Sequence, residues 1–149
     1  MQIRKLTRDE MKAAAAVHRD AFDDRLPWLK GLHTPEQDQA YFRGHVFDTC
    51  QPWGAFEDLR LVGIIAFREG WIDQLYVLPA WQGRGVGATL LGLATGSQSS
   101  LRLWTFQKNT GARRFYEKHG FRAVELTDGS RNEEREPDVL YEWRRPEAA

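Results

Sequence analysis

Two hydrophobic periods alternate along the chain, and together they lay out its elements. Gln2 to Leu6 alternates polar and apolar residues, which predicts a first strand. Thr7-Arg8-Asp9-Glu10 has the form of a capping box and opens a helix to about Phe22. Met11, Ala14, Ala15, His18 and Phe22 share one stripe of that helix, so His18 reads as a packed or rim histidine. Residues 23–33 break both periods at Pro27 and Gly31, yet Leu26, Trp28, Leu29 and Leu32 are too apolar for a floppy linker. An ordered loop is expected there. Thr34-Pro35-Glu36-Gln37 then opens a second helix to about Phe47.

Trp53 to Glu57, Leu61 to Arg68 and Trp71 to Leu78 read as a three-strand meander, turning at Asp58 and at Glu69-Gly70. A helix over about 85–95 follows, ended by Gly96-Ser97-Gln98-Ser99-Ser100, and Leu101 to Phe106 is the next strand. A strand–helix–strand crossover makes that strand parallel to the one before the helix. A helix over 109–119, a strand at Phe121 to Leu126, an acidic loop, a strand at Val139 to Arg144 and a frayed tail complete the chain. The expectation is one α/β domain over 1–149, a mixed sheet of about seven strands flanked by about four helices.

Chemistry concentrates where the meander gives way to a helix. Gly83, Gly85 and Gly87 fall at every second position, where glycine permits positive φ and close approach of a ligand to the backbone. The free N–H groups and dipole of the new helix favour an anion, so a phosphate or pyrophosphate is expected at 82–88. A nucleoside-triphosphate loop requires Gly-Lys-Ser/Thr, and Ala88-Thr89 follows Gly87 with no lysine. A dinucleotide fingerprint is met in form by Gly83, Gly85 and Ala88. It also requires an acid about 20 residues on, and none occurs between Asp73 and Glu117.

The remaining pattern, Gln82-Gly83-Arg84-Gly85-Val86-Gly87, resembles the Q/R-x-x-G-x-G/A pyrophosphate loop of the GNAT superfamily of acyl-CoA-dependent N-acyltransferases. LWTFQKNTGARRFYEKHGF, from Leu103 to Phe121, looks like the family's second CoA-side block, and Leu75-Tyr76-Val77 resembles its acyl-receiving strand. The resemblance covers about residues 53–143.

It implies an N-acetyltransferase moving acetyl from acetyl-CoA to a primary amine of a small molecule or peptide, by direct attack in a ternary complex. No metal is implied. The same fold also suits a non-catalytic acyl-CoA sensor or transfer of another acyl group. In this pattern, helices at about 7–47 form the acceptor side, about 53–125 the acyl-CoA core and about 139–144 the last strand. Trp28, His33, Tyr41 and Phe42 then either line the acceptor pocket or pin a loop to the core. The strand at Leu75–Val77 is expected to splay from Leu101–Phe106 and pair with the pantetheine arm, with an N–H near Val77 or Leu78 facing the thioester oxygen.

Strict alternation puts Trp71, Asp73, Leu75 and Val77 on one face of this strand and Ile72, Gln74 and Tyr76 on the other. The attacking amine, with a pKa near 10, must lose a proton. Asp73 is the first candidate base, directly or through water; the alternatives are that it only binds the ammonium or holds a strand end. Glu133, Glu134, Glu136 and His33 stand in reserve, Glu134 and His33 also as substrate contacts. By resemblance Tyr116 protonates the departing sulfur while Phe115 packs in the core. Asn109 bonds the pantetheine or caps its helix, and Lys108, Arg113 and Arg114 are candidates for the CoA 3′-phosphate.

Charge and cysteine content narrow the picture further. With 21 basic and 21 acidic residues, no global field points to nucleic acid or membrane. From Gln74 to Tyr116 every ionised residue is positive, whereas Ala123 to Glu142 holds seven acids against Arg131 and Arg135. This division either serves a polyanion on one side and a cation on the other, or marks ordinary solvated faces. The single cysteine, Cys50, excludes an intramolecular disulfide and reads as a half-buried thiol. No leader pattern and no apolar run near 18 residues occur, so a soluble cytoplasmic protein, monomer or homodimer, is expected.

Overall fold

The computed structural model describes residues 1–147; the frayed tail expected after Arg144 includes 148 and 149, which lie outside the described residues. One mixed seven-stranded sheet runs in the order β1-β2-β3-β4-β5-β7-β6. Its strands are β1 (Gln2–Lys5), β2 (Gln51–Glu57), β3 (Arg60–Arg68), β4 (Trp71–Val77), β5 (Ser100–Phe106), β6 (Arg122–Leu126) and β7 (Asp138–Arg144). Helices α1 (Met11–Arg25), α2 (Pro35–Tyr41), α3 (Phe47–Thr49), α4 (Val86–Ser97) and α5 (Thr110–Lys118) accompany them, matching the α/β expectation.

Both capping boxes form. Glu10 accepts from the Thr7 N–H at 2.9 Å, and the Thr34 hydroxyl accepts from the Gln37 N–H at 3.1 Å. Two helix boundaries differ from the periodic reading. The first helix runs three residues further, to Arg25, so the loop after it is shorter and contains a 3₁₀ turn at Pro27–Leu29. The second helical stretch widens into π turns at Phe42–Val46 and continues through Thr49, so the helical period alone misjudged its end.

Arg19 of α1 clamps Asp38 of α2 through two bonds at 2.8 and 2.9 Å. The sheet's middle is apolar on both faces: Leu61 to Phe67 of β3 is buried throughout. Helix α4 buries Val86, Leu90, Leu91 and Ala94 against it. Gly63 permits this close approach, because a Cβ there would lie 2.9 Å from Val86 Cγ1 and 3.1 Å from Leu90 Cδ1. Among the described residues no helix is long and apolar enough to cross a membrane.

Two features of β4 position everything that follows. Its parallel pairing with β5 is limited to Trp71 opposite Arg102, so the two strands diverge beyond that point. The register with β3 also jumps, from Gln74 opposite Ala66 to Ile72 opposite Phe67, leaving Asp73 in a bulge. The strict alternation expected from sequence fails at that residue. An extra residue in one strand re-aims its side chain.

Candidate active site

A cleft of about 410 Å³ opens where β4 and β5 part, walled by both strands, the glycine loop, the end of α1 and the start of α5. The Leu78 N–H donates to Val62 O of β3 at 2.9 Å. Backbone groups alternate in direction along a strand, so those of Leu75 and Val77 point the other way, toward the diverging β5. They have no ladder partner there. Leu78, one of two expected oxyanion donors, is therefore excluded, and the open donors are Val77 and Leu75.

At the end of β4, Pro79–Trp81 makes a 3₁₀ turn into the glycine loop. Gly83 and Gly85 take φ of +75° and +84°, and no atom lies within 4 Å of a Cβ placed on either. Gly85 is the N-cap of α4, so the N–H groups of Val86, Gly87 and Ala88 begin the helix unpaired. The Val86 side chain is buried in the core, leaving only its backbone for a ligand. Gly87 lies between Phe115 and Val77. Arg84 stacks on Trp81 at 4.9 Å and does not line the cleft.

Gln82 has a role that its place in the motif does not reveal. Its amide donates to Val77 O at 3.0 Å, and its carbonyl oxygen accepts from the Arg25 guanidinium. Arg25 ends α1 and reaches over the cleft until it covers Gly111, where a Cβ would run into the guanidinium. No carboxylate pairs with Arg25 among the described residues. This cation lies near the N-terminal ends of α4 and α5, an arrangement that favours an anion. Sequence reasoning missed Arg25 because it placed this residue in the loop after a helix ending near Phe22, where a single arginine carries no pattern.

Tyr116 lines the cleft from α5 and is 7% exposed, in contact with Phe115, Phe121 and Tyr141. Burial first, and Tyr76 second, push its hydroxyl above the ordinary tyrosine range, so it stays protonated. Asn109 caps α5, its side chain accepting from the Ala112 N–H at 3.2 Å, which favours the capping alternative. Arg113 donates to the Tyr141 hydroxyl at 3.0 Å, and that hydroxyl donates to Glu117, so Arg113 ties α5 to β7. Lys108 approaches the Trp28 ring and Glu136 instead.

Asp73 is engaged rather than free. Arg68 donates to it at 2.8 and 3.2 Å, and the Cys50 thiol donates at 3.2 Å. Burial pushes that thiol up to about 11, so Cys50 is a poor nucleophile at neutral pH.

The two loops expected to frame the acceptor do meet. Trp28 Nε1–H donates to Glu136 at 2.7 Å, and His33 Nε2 lies 3.1 Å from Glu133. On the same side, Tyr76 of β4 packs edge-on against His18, with ring centroids 4.6 Å apart, and its hydroxyl is pushed up to about 12 by burial and then by the charge of Glu134. His18, half-buried against Phe22 and Phe42, is depressed to about 4 mainly by desolvation and is neutral at pH 7. The packed role expected for it holds. Tyr76 escaped notice because aromatic residues on strands usually read as core.

The described residues gather no group of three His, Cys, Asp or Glu side chains that could hold a metal. A GNAT acetyltransferase domain model matches residues 48–123. The peptidyl-lysine N-acetyltransferase YiaC of Escherichia coli is 30% identical over 95 residues, covering 63% of this chain and 64% of that protein. The chain thus spans less than two thirds of the length of the curated relatives it matches. The apo form of YjaB from Escherichia coli superposes with a TM-score of 0.78 at 20% identity, covering 95% of this chain and 96% of that one. The PaiA N-acetyltransferase of Thermoplasma acidophilum, solved with coenzyme A, gives 0.72 at 23% identity, covering 97% and 98%. At these identities the superpositions speak for the fold. With the family model spanning half of the sequence, the chain belongs to the GNAT acetyltransferase domain family.

Proposed function

We propose that this protein is an N-acetyltransferase that moves an acetyl group from acetyl-CoA to a primary amine. The observation that carries the reading is the pair of open backbone N–H groups at Leu75 and Val77, facing a cleft that leads to the glycine-capped start of α4. A thioester with a long amide-bearing arm and a pyrophosphate matches that sequence of features. The arm's amides add as a strand beside β4, the pyrophosphate meets the N–H groups of Gly83 to Ala88, and Arg25 supplies positive charge beside them.

In this reading a free N–H of β4 stabilises the oxyanion that develops on the thioester. Donors of this kind contribute about 2.7–4 kcal/mol in other enzymes. Tyr116 keeps its proton through the neutral range and delivers it to the departing sulfur. Attack by the amine is direct: the single thiol, Cys50, is held protonated by burial and engaged with Asp73, which supports a ternary complex over a covalent intermediate. The paired loops carrying Trp28, His33, Glu133 and Glu136 frame the acceptor.

YiaC is named for action on peptidyl lysine, which makes a blocked lysine peptide the first acceptor to test, followed by spermidine and an aminoglycoside. The test measures free-thiol release from acetyl-CoA with each amine, alongside the melting temperature with and without acetyl-CoA. Amine-dependent release supports the enzyme. A thermal shift without release for any amine favours an acyl-CoA sensor, and neither signal overturns acyl-CoA binding altogether.

A further inference from the structure

The acceptor's ammonium must give up a proton before it can attack, and the first candidate for accepting it is compromised. Asp73 receives two bonds from Arg68 and one from Cys50, so an approaching ammonium competes with a guanidinium already in place. The loop between β6 and β7 offers another group. Its acids are engaged in turn: Asp128 accepts from the Ser130 N–H at 2.9 Å, Glu133 pairs with His33, Glu136 accepts from Trp28, and Asp138 accepts from Thr127 and Asn132. Glu134 has no hydrogen-bond or ion-pair partner among the described residues. It is half-buried, so its carboxylate is left without a counter-charge beside the acceptor loops.

Its position suits the chemistry. Glu134 lines a second cavity of about 720 Å³, which shares the wall formed by Trp104, Thr105 and Phe106 with the β4–β5 cleft. The two openings therefore lie against the same end of β5, one holding Tyr76 and Tyr116, the other Glu134. The negative charge of Glu134 is felt at the Tyr76 hydroxyl, where Arg19 of α1 and Tyr41 of α2 also act. Across the second cavity Glu125, Asp128, Arg131 and Asp138 are its charged neighbours. Edge-on packing against His18 holds the Tyr76 ring in place in the first of these openings.

We infer that Glu134, in the cavity that shares the end of β5 with the cleft, is the residue that receives the acceptor ammonium and takes its proton, and that Asp73 does not. This rests on the N-acetyltransferase reading above. The ammonium passes one proton to Glu134 and on to solvent, and its freed lone pair forms the bond to the thioester carbon. When the carbon–sulfur bond breaks, Tyr116 gives its proton to the sulfur and is reprotonated by the second proton leaving the nitrogen. The balance is one amide, one thiol and one released proton.

The experiment compares wild type, Glu134→Gln, Glu134→Asp and Asp73→Asn, using whichever of the blocked lysine peptide, spermidine or the aminoglycoside gives the largest thiol release. Glu134→Gln is expected to lose about 100-fold or more in kcat/KM for the amine, within the range for a positioned proton acceptor. The loss should shrink as the pH approaches the pKa of the amine, where free amine needs no base. Its KM for acetyl-CoA and its melting temperature should stay unchanged, Glu134→Asp should recover part of the rate, and Asp73→Asn should remain within a few-fold of wild type. Wild-type rates in Glu134→Gln, or a pH-independent loss, overturn the assignment while leaving the acetyltransferase standing. Absence of transfer by wild type to any of the three amines overturns both.

Discussion

Replacing Tyr116 with phenylalanine should uncouple activity from stability in opposite directions. The side chain is 7% exposed and packs on Phe115, Phe121 and Tyr141, contacts that the phenylalanine ring keeps. Its hydroxyl has no hydrogen-bond partner among the described residues, and burial is the first cause of its raised pKa. A fully buried unpartnered hydroxyl costs about 1–3 kcal/mol; this one opens onto the cleft, which argues for the lower end. Tyr116→Phe is therefore expected to stabilise the fold by about 1 kcal/mol, which for a chain of this length raises Tm by about 2–4 °C. Loss of the proposed proton donor should at the same time lower kcat about 100-fold or more, with the KM for acetyl-CoA unchanged. Calorimetry and thiol-release kinetics on the same preparation read both effects. A variant that loses stability, or one that keeps more than about a tenth of the wild-type kcat, would refute the reasoning, since either result requires the hydroxyl to be doing something else.

Other expectations follow from single features of the structure. Gly85→Ala forces a Cβ onto a residue at φ +84°, a cost of about 1–2 kcal/mol, and the distorted N-cap should weaken the acetyl-CoA thermal shift more than it lowers the apo melting temperature. Cys50, with its thiol pushed up to about 11, should alkylate at pH 7.5 far more slowly than glutathione; labelling at the rate of a free thiol would contradict its burial against Asp73. His18 has a folded pKa near 4 against an ordinary 6.5, so the folded state resists protonation. Its neutral form contributes stability that is present above pH 6.5 and lost as the pH falls through about 4, up to about 3 kcal/mol in all. Denaturant midpoints of wild type and His18→Leu between pH 7 and 4 check this: the variant should show a flatter decline.

Local patterns proved good guides wherever the chain's conformation depends on its nearest neighbours. The capping pairs Thr7/Glu10 and Thr34/Gln37 close over three residues, and both form as written. The α1 stripe and the meander follow from periods that any backbone of that type would show. The loop from Gln82 to Gly87 was legible because positive φ at Gly83 and Gly85 restricts the choice of residue. The π turns at Phe42–Val46 were not, because the extra residue per turn is set by packing on α1 and leaves no period of its own.

The site was legible in part. Tyr116 and the glycine loop line the cleft as expected, whereas Arg113 is drawn into the Tyr141–Glu117 network and Asp73 into the Arg68 pair. Both outcomes depend on partners 28 and 5 residues away whose approach no spacing rule describes.

Sequence alone thus determined the order and type of the elements, and the positive-φ glycine turn with open N–H groups at the start of α4, because these arise from φ/ψ preferences and side-chain periods within a few residues. The tertiary structure decided which backbone groups of β4 stay open, where the bulge turns Asp73, that Arg25 reaches Gln82 and Gly111, and that Glu134 lines a cavity sharing the end of β5 with the cleft. Those facts rest on which strands become neighbours and where they part. A one-residue shift in register or the loss of a single strand pairing would reverse them without altering any local pattern.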